Sequence, residues 1–369
     1  MTPSPSRDVL FVAVHPPGRA PSQRFRYEQY VDFLEEHGFR TTFAPVLRPD
    51  DYEVVYRAGG YLRKALIAGR GLARRLGEAR RLPRFDIVFV QREALQLGTS
   101  WFEALAARAR PRVVFDFDDA IWLQNVSKAN RSLAWLKRPS KTRKLISIAD
   151  LTIAGNAYLA DYARQINPKV AVVPTTIDTD RYVRDASVAT DPGICIGWTG
   201  SLTTIQHFDL ILPVFRRLKE RYGDQIRFKL IGDPDYRHER LGIRGQAWNE
   251  ATEVRDLSDL DIGVMPLPDD EWARGKCGLK GLQYMALEIP TVMSPVGVNT
   301  EIIDDGVNGF LADGQDEWFA KLSRLIESES LRRELGSASR KTVESRYSVR
   351  SQQDRYLSLL SGLVANGSA

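Results

Sequence analysis

Apolar residues along this chain come in short unbroken runs, separated by stretches of helical spacing. Asp8–His15 (DVLFVAVH) is the first such run, and unbroken apolarity predicts a strand buried on both faces, as parallel sheets require. Similar runs predict strands at Thr41–Leu47, Asp86–Gln91, Arg112–Phe117, Leu151–Ala154 and Val170–Pro174. Helices are expected between them at Pro21–Gly38, Tyr56–Arg81, Ser100–Arg108, Lys141–Ala149 and Ala157–Gln165, with Gly38 as a C-terminal stop for the first. At Asp185–Gly193 (DASVATDPG) the pattern stops, and small, polar, Pro and Gly residues predict a linker. It then resumes with strands at Ile194–Trp198, Arg227–Ile231, Leu260–Met265 and Thr291–Ser294. Helices are expected at Phe208–Tyr222, Leu279–Leu287, Asp316–Ser328, Ser330–Arg346 and Val349–Leu363. Strand–helix alternation in both halves predicts an α/β protein of two Rossmann-like domains. The first is expected over 1–184, the linker over 185–193 and the second over 194–346. A C-terminal helix within 347–369 is expected to pack back on the first domain.

A length of 369 residues fits two cores of this kind. The two cysteines, Cys195 and Cys277, form no CxxC pair, and the four histidines show no HxxxH spacing, so no tightly held transition metal is expected. There is no run of about 18 apolar residues to span a membrane, nor a secretory leader pattern at Met1–Arg7, so a cytoplasmic location is expected. Charge is uneven: residues 1–180 hold 28 Lys+Arg against 19 Asp+Glu, whereas the remainder holds 24 against 28. Such asymmetry points one half toward something anionic.

In an open parallel sheet, ligands meet the loops beyond the carboxyl ends of the strands. Four such loops carry candidate chemistry. His15–Ser22 (HPPGRAPS) combines Gly18 with Arg19 and the nearby Arg24 and Arg26, a setting for a phosphate or acidic acceptor group, or else a plain Pro/Gly turn. Thr199, Gly200 and Ser201 follow the first strand of the second domain and could present N–H and O–H donors to a diphosphate, or simply cap a helix. Neither GxxxxGK[ST] nor GxGxxG is present there. Arg274, Lys276 and Lys280 gather with Gly275 and Gly278 at the start of the Leu279 helix. Cations are disfavoured at such an end unless they serve an anion. Gln283 lies three residues beyond Lys280, so both could face one ligand. Finally, Asp116, Asp118 and Asp119 end a strand, where three carboxylates must either meet arginines or work on substrate hydroxyls. Asp116-Phe117-Asp118 also has the form of a metal-binding DxD, but too few carboxylates accompany it for an oxygen-ligand site.

At these loops the chain resembles glycosyltransferase family 4, of the two-domain GT-B type. The segment KCGLKGLQYMALEIPTVMSPVGVNTEIIDDGVNGFLA (276–312) carries most of the likeness. Ile196–Ser201, Val173–Tyr182 and Ser22–Arg26 support it, in the right order along most of the chain. The resemblance implies an interdomain donor cleft and retaining transfer of a sugar from a UDP- or GDP-sugar to a hydroxyl acceptor. It implies no tightly bound cofactor and no metal. The acceptor would be a glycan, a lipid-linked sugar or a small molecule, as in polysaccharide biosynthesis. By the same likeness, Asp118, Asp119, Lys276 and Lys280 are the expected catalytic residues. Thr199, Gly200, Ser201, Arg274, Gly278, Leu279, Gln283 and Glu301 are expected at the donor, and Gly18, Arg19 and Arg24 on the acceptor side. The chain departs from the family in its Glu-x7-Glu motif, whose positions hold Gly275 and Gln283, and in placing Asp118 where many members have a histidine. The alternative is a sugar-nucleotide-binding protein of the same fold with weakened catalysis. An exported bilobal binding protein fits less well.

One stretch stands apart from these loops. Between Arg57 and Arg84 lie nine cations (Arg57, Arg63, Lys64, Arg70, Arg74, Arg75, Arg80, Arg81, Arg84) against Glu78 alone, interleaved with Tyr61, Leu62, Leu66, Ile67, Leu72 and Leu76. A second basic cluster, Lys137–Lys144, follows Trp135. The pattern suits a peripheral helix on an anionic inner membrane leaflet, or equally a solvated helix packed on its own sheet. No nucleic-acid-binding module accompanies the charge, and no nucleic acid partner is expected.

Overall fold

The computed structural model describes residues 7–56, 59–123, 138, 140–188, 192–201 and 204–365. Arg57, Trp135, Lys137 and Thr203 lie outside the described residues. The chain divides into two compact units, Met1–Pro174 with Gln352–Ala369, and Thr175–Ser351. The division falls at Pro174/Thr175, so the stretch 185–193 belongs with the second unit, where the Asp185 N–H donates to Ser258 Oγ (2.9 Å).

The first unit is built on β1 (Arg7–Ala13), β2 (Phe39–Pro45), β3 (Ile87–Gln91), β4 (Arg112–Phe117), β5 (Leu151–Ala154) and β6 (Val170–Val172). They form one parallel sheet in the order β2-β1-β3-β4-β5-β6. Val9–Val12 and Ile87–Val90 are almost wholly buried, which explains why these strands read as continuous apolar runs. The order reverses between β1 and β3, so the loops after these strands flank the switch point. Gln352–Ala369 packs here through Tyr356, whose ring stacks on Tyr30 with centroids 4.4 Å apart.

The second unit holds β7 (Ile194–Thr199), β8 (Ile226–Ile231), β9 (Arg237–His238), β10 (Ile243–Gln246), β11 (Ile262–Met265), β12 (Thr291–Met293) and β13 (Phe310–Leu311). Their order is β13-β12-β11-β7-β8-β10-β9, parallel except for β9 against β10. Trp198, Phe208, Phe215, Phe228 and Trp318 anchor its core. Here the switch point lies between β7 and β11, which directs attention to the loops starting at Gly200 and Pro266.

Two expected helices are broken. Pro21–Gly38 is a four-residue helical turn (Pro21–Arg24) followed by Glu28–Tyr30 and Val31–Glu36. Tyr56–Arg81 starts later, at Tyr61, because Gly59 and Gly60 take positive φ (77° and 65°) and separate it from Asp51–Tyr56.

Candidate functional site

At the switch point of the second sheet, β7 ends in a turn in which the described backbone N–H groups of Thr199, Gly200 and Ser201 have acceptors. The N–H of Thr199 donates to Tyr284 Oη (2.7 Å), that of Gly200 to the Ile231 carbonyl (2.9 Å) and that of Ser201 to Thr204 Oγ1 (3.0 Å). These three amides hold the turn itself, so a diphosphate there would be met by the Thr199 and Ser201 hydroxyls rather than by these N–H groups. Gly200 serves packing, since a Cβ there would sit 2.2 Å from the Trp198 ring.

The anion-seeking backbone lies one loop away. Helix Leu279–Ala286 is capped by Gly278, in the left-handed region (φ 70°), with no side-chain cap. First-turn N–H groups have no intrahelical acceptor, and a terminus of this kind suits an anion. Gly278 is also sterically required, because an added Cβ would meet Ile302 Cδ1 at 2.3 Å.

Two cations stand at that terminus. Lys280 Nζ lies 5.4 Å from the centroid of the Trp198 ring, and Lys276 Nζ lies 5.0 Å from that of Trp272. Both lysines bear on His207, whose pKa falls to about 4, first through burial and then through the charges of Lys280 and Lys276. A neutral imidazole thus sits beside two ammonium groups. Its Nδ1 is buried with no hydrogen-bond partner. Nothing in the local sequence marked His207, which comes from the helix after β7 rather than from the glycine-rich segment.

Arg274 makes a surface ion pair. Its guanidinium grips the exposed Asp269 through Nε (2.8 Å) and Nη2 (3.1 Å). Its backbone also abuts Gly297, where a Cβ would come within 2.7 Å of the Arg274 carbonyl. Leu279 is half-buried in the first helical turn, and Glu301 is exposed on Asn299–Ile302, the turn following β12.

Gln283 does not share a ligand-facing surface with Lys280 in the way its spacing suggested. It is 3% exposed, and its amide donates to Tyr182 Oη (3.1 Å) and Glu253 Oε1 (3.0 Å). Tyr182 Oη and Trp248 Nε1 also donate to Glu253, at 2.7 and 2.9 Å. Glu253 is thus the acceptor hub of a buried network in which a carboxylate at 283 would meet a like charge. Trp248 and Glu253 escaped sequence reasoning, and Tyr182 stood there only within the matched segment Val173–Tyr182, because the network joins residues up to 101 positions apart.

In the first unit the three aspartates at the end of β4 and just beyond it meet arginines, the first of the two alternatives. Asp116, 1% exposed, pairs with Arg26 (Nη2–Oδ1 2.6 Å), which also donates to the Val173 carbonyl (2.5 Å). Burial raises the Asp116 pKa above the ordinary carboxylate value even with Arg26 beside it. Arg92, at φ 57°, spans Asp118 (Nε–Oδ1 2.7 Å) and Asp119 (Nη2–Oδ2 2.5 Å). Burial works against its charge, but the two carboxylates outweigh it and hold the Arg92 pKa above the usual arginine value. Asp118 and Asp119 are therefore tied to Arg92 rather than presented alone. His15 is pushed down to about 4 by burial and by Arg92.

The loop after β1 is likewise internally braced. Gln23 exchanges hydrogen bonds with the His15 backbone (3.0 and 2.9 Å), and Glu28 accepts from Gly18 N–H (2.8 Å). Gly18 adopts φ 81° and Arg19 is exposed. Arg24 is only 6% exposed and lies 4.9 Å over the Phe25 ring, so it packs rather than reaching outward. The following helix is a single turn, too short to supply the expected anion-binding terminus. Among the described residues no group of His, Cys, Asp and Glu gathers to hold a metal ion.

The two parallel-sheet, Rossmann-like domains define the GT-B fold of glycosyltransferases. Residues 193–328, which contain the lysine-bearing terminus, match the family model described as Glycosyl transferases group 1. The crystal structure of the Anabaena protein HepE in complex with UDP and glucose superposes with a TM-score of 0.65 at 14% identity, over 96% of this chain and 99% of that one. A glycosyltransferase from Rickettsia africae gives 0.68 at 13% identity, over 98% and 99%. A sucrose-phosphate synthase from Thermosynechococcus elongatus gives 0.65 at 13% identity, over 98% and 100%. No protein of curated function matches the chain by sequence.

Proposed function

We propose that the chain is a retaining glycosyltransferase that moves a sugar from a nucleotide diphosphate sugar to a hydroxyl acceptor without a bound metal. The observation that carries this reading is the occurrence of Lys276 and Lys280 together at a glycine-capped helix terminus without a side-chain cap, beside the switch point of the second sheet. When the sugar–phosphate bond breaks, negative charge grows on the departing diphosphate. Fixed cations and helix N–H groups stabilise that charge without having to reorganise. This reading assigns that role to Lys280, beside the Trp198 ring, and Lys276, beside the Trp272 ring. The neutral state of His207 adds no further positive charge to the pair and leaves its imidazole free to accept or donate a hydrogen bond.

A uridine donor is the preferred choice within the UDP- or GDP-sugar class, because the Anabaena protein of the same fold was crystallised with UDP and with UDP-glucose. Asp118 and Asp119 act as positioning groups through Arg92 in this scheme, and Gly18 and Arg19 lie on the acceptor side. The acceptor is a hydroxyl of a glycan, a lipid-linked sugar or a small molecule.

Incubation with UDP-hexoses and analysis of released UDP tests the activity, and the anomeric configuration of the product, read by NMR, tests retention. A second reading, a binding protein with weakened catalysis, is favoured by Gly275 and Gln283 standing where the resembling family has acids. Tight UDP binding with no turnover in any donor–acceptor combination would decide for it.

A further inference from the structure

Helix Tyr61–Ala79 has a mixed side that faces its own domain and an apolar side that does not. Ile67, Gly71, Arg75 and Glu78 form the buried side. Arg75 is fully buried and donates to the carbonyls of Ala13 (2.9 Å), Ala44 (2.8 Å) and Ala94 (2.9 Å), besides pairing with Glu78. It anchors the helix on the sheet and is not part of any basic surface. Ile67 joins Val14, Val46, Leu47 and Leu95 in a small core, and Gly71 lets the helix approach Val46 closely.

The opposite side is apolar and exposed. Leu62 is 77% accessible, Leu66 67%, Tyr61 59%, Leu76 47% and Leu72 39%. At 100° per residue these positions fall in a single arc of roughly 140°. The small residues Ala65, Gly69, Ala73 and Gly77, all exposed, fill the gaps between them. A water-facing helix has no use for five large apolar side chains on one stripe, and such patches mark interaction surfaces. Arg63, Arg70 and Arg74 run along one edge of that arc, Arg70 paired with Asp51 and Arg74 3.6 Å from Glu78, and Arg81 follows just beyond the helix end. Over residues 61–84 there are eight Lys and Arg against Glu78 alone.

We propose that this face docks on the surface of an anionic lipid bilayer, the leucines entering the acyl boundary and the arginine edge lying among the headgroups. An apolar arc bordered by cations matches the layering of such a surface: hydrocarbon beneath, negative charge at the rim. A second copy of this chain fits worse, because a two-fold contact through the stripe would crowd like charges from the two helices. A nucleic acid offers nothing to the leucines. The described residues contain no helix long and apolar enough to cross a membrane, so the contact is peripheral docking by this helix. The proposal stands apart from the transferase reading and is tested without turnover.

The full chain is sedimented with vesicles of phosphatidylcholine and phosphatidylglycerol (7:3) and with phosphatidylcholine alone. The expected result is about ten-fold stronger partitioning onto the anionic vesicles, weakened by salt. Leu62→Ser/Leu66→Ser should abolish most of it at an unchanged thermal midpoint, because both side chains are in water in the unbound protein. Arg63→Gln/Arg81→Gln should flatten the salt dependence. Equal partitioning by the leucine variant and the parent would overturn the proposal, as would no vesicle binding. Concentration-dependent dimerisation abolished by the leucine changes would assign the face to a second copy instead.

Discussion

The ammonium of Lys280 rests 5.4 Å from the centre of the Trp198 indole, which is itself 99% buried in the core of the second unit. A lysine stem normally loses about 2 kcal/mol of rotamer freedom when it is immobilised, and the indole face takes up part of that cost before a ligand binds. Lys280 adds little to the fold, since a half-buried cation on an aromatic face is worth about 0.5–1 kcal/mol. Lys280→Met should therefore shift stability by less than about 1 kcal/mol in urea titrations. Any larger loss would mean that the lysine is a structural rather than a ligand-binding group.

Gly278 combines left-handed backbone with a wall of Ile302 where a Cβ would go. Gly278→Ala should cost about 1–3 kcal/mol through strain and overpacking. Because the helix terminus must shift to relieve the clash, donor affinity should fall with it. Chemical denaturation and nucleotide titration on the same variant check both parts.

The buried network around Glu253 makes a prediction about charge. Gln283→Glu would set a second carboxylate about 3 Å from the first, where like charges raise one of the pair's pKa values. A carboxyl whose folded pKa is raised loses stability as pH rises above its unfolded value near 4.3. The variant should thus be near parental stability at pH 4 and weaker by about 2 kcal/mol at pH 7. Thermal melts across that range would show it, and a deficit independent of pH would refute the like-charge argument.

Arg26 and Asp116 form an almost fully buried pair, at 1% side-chain exposure each. Removing one partner strands the other, at a cost of about 3–5 kcal/mol. Arg26→Met should show that loss by denaturant unfolding, whereas Arg26→Met/Asp116→Leu should recover much of it.

His15 and His207 both titrate near pH 4 when folded, against an ordinary value of 6.5. The unfolded chain takes up protons first as pH falls, so stability declines from about pH 6.5 down to 4. His207→Gln should make that decline shallower without changing stability at pH 8, as followed by thermal midpoint. An identical pH profile in the variant would show that His207 is not held neutral.

The strands were legible wherever burial on both faces left a continuous apolar run, as in Val9–Val12 and Val113–Phe115. Strands β9 and β10 were missed because Arg237–His238 and Ile243–Gln246 are short and partly polar. The lysine terminus was visible because glycines and cations stood next to each other in the chain. What had turned inward was not visible. Arg75 was counted with its basic neighbours, although its helical position groups it with Ile67, Gly71 and Glu78. A strict angular reading of the helix would have found it. His207 meets the field of Lys276 and Lys280, and Glu253 meets Gln283, only through the tertiary fold, and no local spacing announces such contacts.

The central claim is that Lys276 and Lys280 grip the diphosphate of a nucleotide sugar. Isothermal titration of UDP into the parent protein, Lys276→Ala and Lys280→Ala measures this directly. Each lost charge-assisted hydrogen bond is worth about 1.5–3 kcal/mol, so affinity should fall by roughly 10- to 150-fold in each variant. UDP binding that is equally tight in the parent and in both variants would contradict the account.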